Sequence, residues 1–194
     1  MRLLTEVIDD VYIYDGKEYP VDMSFNNILV FTDMWNDKVL DVEEKLDLGI
    51  ALLINPKDEE GKEIELDIPY LDKQEIIRDL IENYIQDGAK EETLDRKGNP
   101  MPVIQSKPNY SIKHDDNAIF ASFMQTYHMD LDEQKGKLHW KKFVCMLEGL
   151  PSETRFKEII DIRQKDMPKG KGSEKERAEL KKLKRIYALP EEGE

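Results

Sequence analysis

The chain has 194 residues, 39% hydrophobic and 37% charged, with a formal net charge of −13. A domain of this length buries about 70% of the surface its unfolded chain exposes, so a core is available, and this composition calls for helices that bury one stripe and solvate the other. The acidity disfavours phosphate backbones and anionic membranes as partners, and a lone cysteine, Cys145, excludes an intramolecular disulfide or a cysteine zinc cluster.

The charge is uneven. Residues 1–110 hold 26 Asp and Glu against 12 Lys and Arg, a balance of −14, whereas residues 111–194 hold 16 against 17, a balance of +1. The opening MRLLTEVIDD lacks the apolar core of a signal peptide, and the longest apolar run, Ile50 to Ile54, falls far short of the roughly 20 residues that span a bilayer. The expectation is a soluble, cytoplasmic protein with no membrane association.

In chain order, residues 11–22 place two β-prone runs around Asp15-Gly16, a hairpin signal, with Pro20 confining the second run to an edge. Phe25, Ile28, Leu29, Thr32 and Trp35 follow helical spacing, and Val42, Leu46, Gly49, Ile50 and Leu53 continue it in a second helix that Pro56 ends. The stretch KDEEGKEIELDIPY predicts a weak strand pair. Asp72 with Glu75 then reads as a capping box for a helix whose stripe, Ile76, Ile77, Leu80, Ile81, Tyr84 and Ile85, is wide enough for packing on two sides and stops at Asp87-Gly88. Residues 88–112 carry Gly88, Gly98, Pro100, Pro102 and Pro108 without a period and predict a linker.

The rest reads as helices alone. Phe120, Phe123, Met124 and Tyr127 form one stripe, Trp140, Phe143, Val144 and Leu147 a second, and Phe156, Ile159 and Ile160 a third, with Gly149 and Pro151 supplying a stop and a restart. Ser173 with Glu176 predicts a capped last helix presenting Leu180, Leu183 and Tyr187, ringed by Lys181, Lys182, Lys184 and Arg185. The expected fold is mainly α: an acidic helical domain with an N-terminal β-hairpin over 1–87, a linker over 88–112, and a unit of three to four short helices over 113–194.

Candidate chemistry is sparse. His114-Asp115-Asp116 is the nearest approach to a metal or acid-base cluster, but neighbouring residues rarely converge on one ion and His128 and His139 lack ligand spacing, so Asp115 or Asp116 is better read as a helix N-cap. Asp130 to Glu133 interposes Leu131 between carboxylates and has no calcium-loop register. Cys145, between Val144 and Met146, reads as a small core filler. The basic run around Lys181, Lys182, Lys184 and Arg185 suits a phosphate-binding surface, yet Glu174, Glu176 and Glu179 interrupt it and no aromatic platform alternates with it. A solvated face, or one complementary to the acidic half, explains it better. No catalytic, cofactor or metal residues are expected; the candidate partner-binding or core residues are Trp140, Phe143, Leu147, Phe120 and Tyr127.

The order of residues in the second half is distinctive. An acidic-capped helix carrying AIFASFMQTY, then GKLHWKKFVCMLEGLP, then ETRFKEIIDIR and a terminal ALP resembles the bacteriophage gene-product-fifteen family of tailed phages and prophages of Gram-positive bacteria. The resemblance spans about residues 115–190 and rests on packing residues such as Trp140, Phe143, Leu147, Leu150 and Pro151. It implies a non-enzymatic morphogenesis factor, because the family's gene lies just ahead of the tape-measure gene, where tail assembly chaperones are encoded. The implied partners are the tape-measure protein or other tail proteins, with self-association also in view. Two other classes stand beside it: a nucleic-acid-binding phage protein using the basic C-terminal helix, and a metal-dependent enzyme built around His114 to Asp116.

Overall fold

The computed structural model describes residues 10–54, 66–86, 109–169 and 173–190. The chain is mainly α, with an N-terminal two-stranded hairpin and short helices at its C-terminal end. Its contacts divide it into two compact units, Met1–Glu92 with Lys135–Val144, and Thr93–Gln134 with Cys145–Glu194. Sequence had set the boundary at the linker. The first unit instead reclaims residues 135–144 through backbone pairing: the Phe25 N–H donates to Leu138 O at 2.9 Å and the Trp140 N–H to Met23 O at 2.7 Å. Most of the expected linker, residues 88–108, and residues 57–65 of the expected strand pair lie outside the described residues.

In the first unit, β1 (Val11–Tyr14) pairs antiparallel with β2 (Lys17–Pro20), Tyr12 opposite Tyr19. Asp15 and Gly16 turn with φ of 48° and 69°, the positive values that a two-residue turn matching the strand twist demands. Three helices follow: α1 (Phe25–Asn36), α2 (Val42–Leu53) and α3 (Tyr70–Asp79), the last widening into a π-helical turn over Leu80–Ile85. Asp41 and Glu44 close a reciprocal box at the start of α2. The Asp72 box does not form: α3 begins two residues earlier, and the Asp72 carboxylate accepts from the Tyr14 hydroxyl at 2.6 Å.

The core of this unit draws Ile28 and Phe31 from α1, Leu46, Ile50 and Leu53 from α2, and Ile76, Ile77 and Leu80 from α3 and its extension. Phe31, not Thr32, completes the α1 stripe, and it stacks on Trp35 at 5.6 Å. Gly49 lets the helices close: a Cβ there would stand 2.9 Å from Ile77 Cδ1 and 3.2 Å from Phe31 Cε2. Tyrosines fasten the hairpin to α3, since Tyr84 donates to Val11 O at 2.9 Å as Tyr14 does to Asp72.

The second unit contains α4 (Asp116–Tyr127), α6 (Arg155–Gln164), α7 (Glu174–Ile186) and, from Cys145 onward, the end of α5 (Trp140–Glu148). The expected α4 stripe is out of phase. Phe123 is buried, but Phe120 and Tyr127 are half-buried and Met124 is 39% exposed, while Ala118, Ile119 and Ser122 face inward. The shift of one residue, about 100° of helix, brings a hydroxyl inside. Ser122 Oγ donates to Ala118 O at 2.6 Å and accepts from the Phe156 N–H at 3.1 Å. That amide opens α6, whose N-cap, Thr154, makes no side-chain cap bond because its own hydroxyl donates to Pro151 O. A serine on a neighbouring helix thus does the capping.

Candidate partner surfaces and a polar cleft

In the second unit a cleft of about 380 Å³ opens between His114, Asn117, Arg155, Ile159, Ile186 and Tyr187, walled by Asp115 and Arg163. Arg163 donates through both Nη atoms to the two Asp115 carboxylate oxygens at 2.7 Å, through Nη1 also to Asn109 O at 3.0 Å, and through Nε to Tyr187 O at 2.6 Å. The two side chains are 10% and 4% exposed. Burial by itself raises the Asp115 carboxyl; the Arg163 hydrogen bonds, the Ser111 amide and the guanidinium charge outweigh it and hold the group below its ordinary value. Asp115 occupies the N-cap position of α4 yet makes no side-chain cap bond, because its carboxylate is committed to Arg163. The pair ties the entry to α4, helix α6 and the end of α7 together. It carries no group poised for proton transfer.

Around it, the Arg155 guanidinium carbon lies 5.1 Å from the Tyr187 ring centre and its Nη2 donates to the Tyr187 hydroxyl. His114 is exposed. Among the described residues no three His, Cys, Asp or Glu side chains gather as a ligand set. Cys145 is exposed rather than a core filler, because the inward face of α5 is taken by Phe143 and Leu147.

The sequence candidates divide. Phe143 and Leu147 are buried, so they are core. Trp140 is half-buried, stacks on Phe143 at 5.8 Å and donates its indole N–H to Ile85 O at 3.0 Å, satisfying a carbonyl at the end of the π turn. Tyr127 is half-buried with its hydroxyl on Met146 O at 2.8 Å, and Phe120 is half-buried on α4. Of the basic set, Lys181, Lys182 and Arg185 are exposed, whereas Lys184 donates to Arg163 O at 3.0 Å. Ser173 stands at the N-cap of α7 without a side-chain cap bond.

In the first unit, His139 Nε2 meets Asp10 Oδ2 at 2.5 Å while its Nδ1 accepts the Lys141 N–H at 3.0 Å, which places the ring proton on Nε2. Exposed apolar side chains mark this unit's helices and the α1–α2 connection: Val30, Val42, Tyr70 and Leu71 on helices and Val39, 90% exposed, between α1 and α2. Among the described residues no helix is long and apolar enough to cross a membrane.

Sequence reasoning missed the Asp115–Arg163 knot. Its partners are 48 residues apart and no spacing links them; the available cue was an arginine next to Ile162 on a helix that also carries Ile159 and Ile160.

A family model described as Bacteriophage Gp15 protein matches residues 4–189. The chain belongs to that family. The match takes in nearly the whole chain, including the acidic first half, where the residue-level resemblance was confined to the second. No curated protein and no solved structure matches it.

Proposed function

We propose that this Gp15-family protein is a non-enzymatic tail morphogenesis factor, a tail assembly chaperone that acts in the host cytoplasm by covering the apolar seam of the tape-measure protein. Membership of the family carries the reading, through the place its gene is expected to take before the tape-measure gene. A tape-measure protein is a long helix with an apolar seam, prone to aggregate until the tail polymerises around it. A cover for it needs apolar side chains at its own surface and a charged exterior that keeps the complex dispersed. The exposed Val30, Val39, Val42, Tyr70 and Leu71, carried by a strongly acidic half, support that chemistry.

Co-expression with the tape-measure protein tests the proposal. The partner is expected to move from the insoluble to the soluble fraction and to co-purify with several copies of this chain. Binding is expected to weaken strongly on Val39→Asp with Val42→Asp and only modestly with added salt, because apolar burial releases no counterions. A partner that stays insoluble overturns the proposal. So does retention of DNA with a steep salt dependence that Lys181→Ala, Lys182→Ala and Arg185→Ala abolish, which would establish nucleic-acid binding by α7 in its place.

A further inference from the structure

The two ends of the first unit differ in what covers them. Val21 bridges Ile54 just after α2, and Val11, opposite Pro20 in the hairpin, accepts from Tyr84 in the π turn, so α2 and the extended α3 both finish at the open end of the hairpin. The hairpin tip lies at their other end, where Tyr14 meets Asp72 in the first turn of α3. Contacts between the helices agree. Asp47 pairs with Lys73, and two residues further along α2 a Cβ at Gly49 would meet Ile77, so α2 and α3 run parallel. At the finishing end the carbonyls are matched: Leu53 O by the Asp22 N–H at 2.9 Å, Leu52 O by Asn27 Nδ2 at 2.7 Å, and Ile85 O by the Trp140 indole. At the starting end, among the described residues, apolar side chains face outward instead. There α1 passes to α2 through Asp37–Asp41, and Val39 in that connection, Val42 at the start of α2, and Tyr70 and Leu71 at the start of α3 all stand exposed. Val30, midway along α1, is not among them.

We infer that this end is a docking pad for a helical segment of a partner whose apolar stripe is flanked by lysines or arginines. Charge selects the flanks. Residues 37–45 and 67–72, which carry the pad, hold six carboxylates, Asp37, Asp41, Glu43, Glu44, Asp67 and Asp72, against Lys38 and Lys45. Asp41 and Glu44 keep that charge while closing the cap of α2, and Asp72 keeps it while accepting from Tyr14. A basic-flanked partner is drawn in and an acidic-flanked one repelled. The backbone selects the shape. The four apolar side chains stand on two helix starts and a bend, not along a sheet edge, so the partner gains no main-chain pairing from the pad and must satisfy its own amides and carbonyls. A helix does so, and its residues at i, i+3 or i+4 and i+7 present an apolar stripe to Val39, Val42, Tyr70 and Leu71. The inference deepens the proposed function and rests on it for reading these side chains as a partner surface; it adds one place on the chain and the charge pattern of the segment that binds there.

The test uses the full chain, ¹⁵N-labelled, and two synthetic helical peptides of about five turns. Both carry leucines at helical spacing on an alanine background; one ends in lysine pairs, the other in glutamate pairs. The lysine peptide is expected to shift the amide resonances of residues 38–43 and 70–73, and the glutamate peptide to bind about tenfold more weakly. Val42→Ser with Leu71→Ser, both at exposed positions, is expected to weaken the lysine peptide about tenfold or more, while Val30→Ser binds it as the wild type does. No binding of the lysine peptide, equal affinity for the two peptides, or shifts centred elsewhere overturn the inference. Self-association of the wild type that the double variant abolishes also overturns it, by making a second copy the occupant. Co-expression separates the inference from the reading it rests on. A tape-measure protein solubilised as well by the double variant as by the wild type overturns the pad as its site and leaves the chaperone standing. A tape-measure protein that stays insoluble, beside lysine-peptide binding at the pad, overturns the chaperone and leaves the pad.

Discussion

The two units bury their helices by different means. In the first, α1, α2 and α3 meet through apolar side chains in a continuous core, with Gly49 thinning one helix so that its neighbours approach. In the second, α4 and α6 bury Ile119, Phe123, Phe156 and Ile159 and, beside them, enclose a serine hydroxyl and an Asp–Arg pair that are matched by hydrogen bonds. Apolar packing tolerates small losses at many points, whereas a buried charge pair fails at one. The second unit should therefore be the more brittle to single substitutions and the more sensitive to acid.

The largest expected effect follows from that contrast. Arg163→Met leaves the Asp115 carboxylate buried without its counter-charge and should cost about 3–5 kcal/mol in a urea titration. Arg163→Met with Asp115→Leu should recover a large part of the loss, and a double variant as unstable as the single would show that the pair's hydrogen bonds to Asn109 and Tyr187, rather than the charge, dominate. The pH dependence has a definite sign. Asp115 titrates below its ordinary 3.8 in the folded state, so the pairing contributes fully above that value and is lost as pH falls through the lower folded one. The urea midpoint of the wild type should fall more steeply than that of Asp115→Asn as pH drops below about 4; parallel curves would remove Asp115 as the acid-sensitive group.

The same contrast sets what sequence could reveal. The hairpin at Asp15-Gly16, the helices of the first half and the stripe Leu46, Gly49, Ile50, Leu53 were legible because apolar burial repeats with the helix period and turn residues carry their own φ preference. The α4 phase was misread because Ser122 counts as polar in any pattern, yet it is fully buried by serving the Phe156 amide in the first turn of α6. Asp72 and Asp115 were both read as caps because local spacing cannot show a tyrosine or an arginine arriving from elsewhere in the chain. The segment 135–144 was assigned to the wrong neighbours for the same reason: the pairing of Trp140 with Met23 is non-local.

A second substitution sharpens the comparison from the apolar side. Trp140→Ala removes a ring stacked on Phe143 together with its bond to Ile85 O, and should cost about 3 kcal/mol. Trp140→Phe keeps the stack and loses the hydrogen bond alone, so it should cost about 1 kcal/mol. Equal losses for the two would assign the effect to the π turn that the indole caps. Gly49→Val tests close approach directly: the added atoms meet Ile77 and Phe31, and overpacking should cost about 1–3 kcal/mol despite the gain in chain stiffness. A neutral result would mean that the three helices shift apart freely, and the first core would be looser than its contacts imply.

The smallest effect is the most discriminating about polar burial. Ser24 is 7% exposed, sits at the N-cap of α1, makes no side-chain cap bond, and its Oγ has no hydrogen-bond partner. Its backbone N–H, by contrast, is held by Asp22 Oδ1 at 2.9 Å. An N-cap serine that bonds the helix costs about 1 kcal/mol when replaced by alanine, whereas a buried hydroxyl without a partner carries a desolvation penalty that its removal relieves. Ser24→Ala should therefore leave the denaturation midpoint unchanged or raise it slightly, within about 0.5 kcal/mol. Ser122→Ala is its counterpart in the second unit, where a hydroxyl that is likewise buried has both a donor and an acceptor role and its loss strands the Phe156 amide. That variant should lose about 1–3 kcal/mol. If the two serines respond alike, burial alone governs both sites; if only Ser122 responds, the distinction between an apolar first unit and a polar-matched second unit holds down to a single hydroxyl.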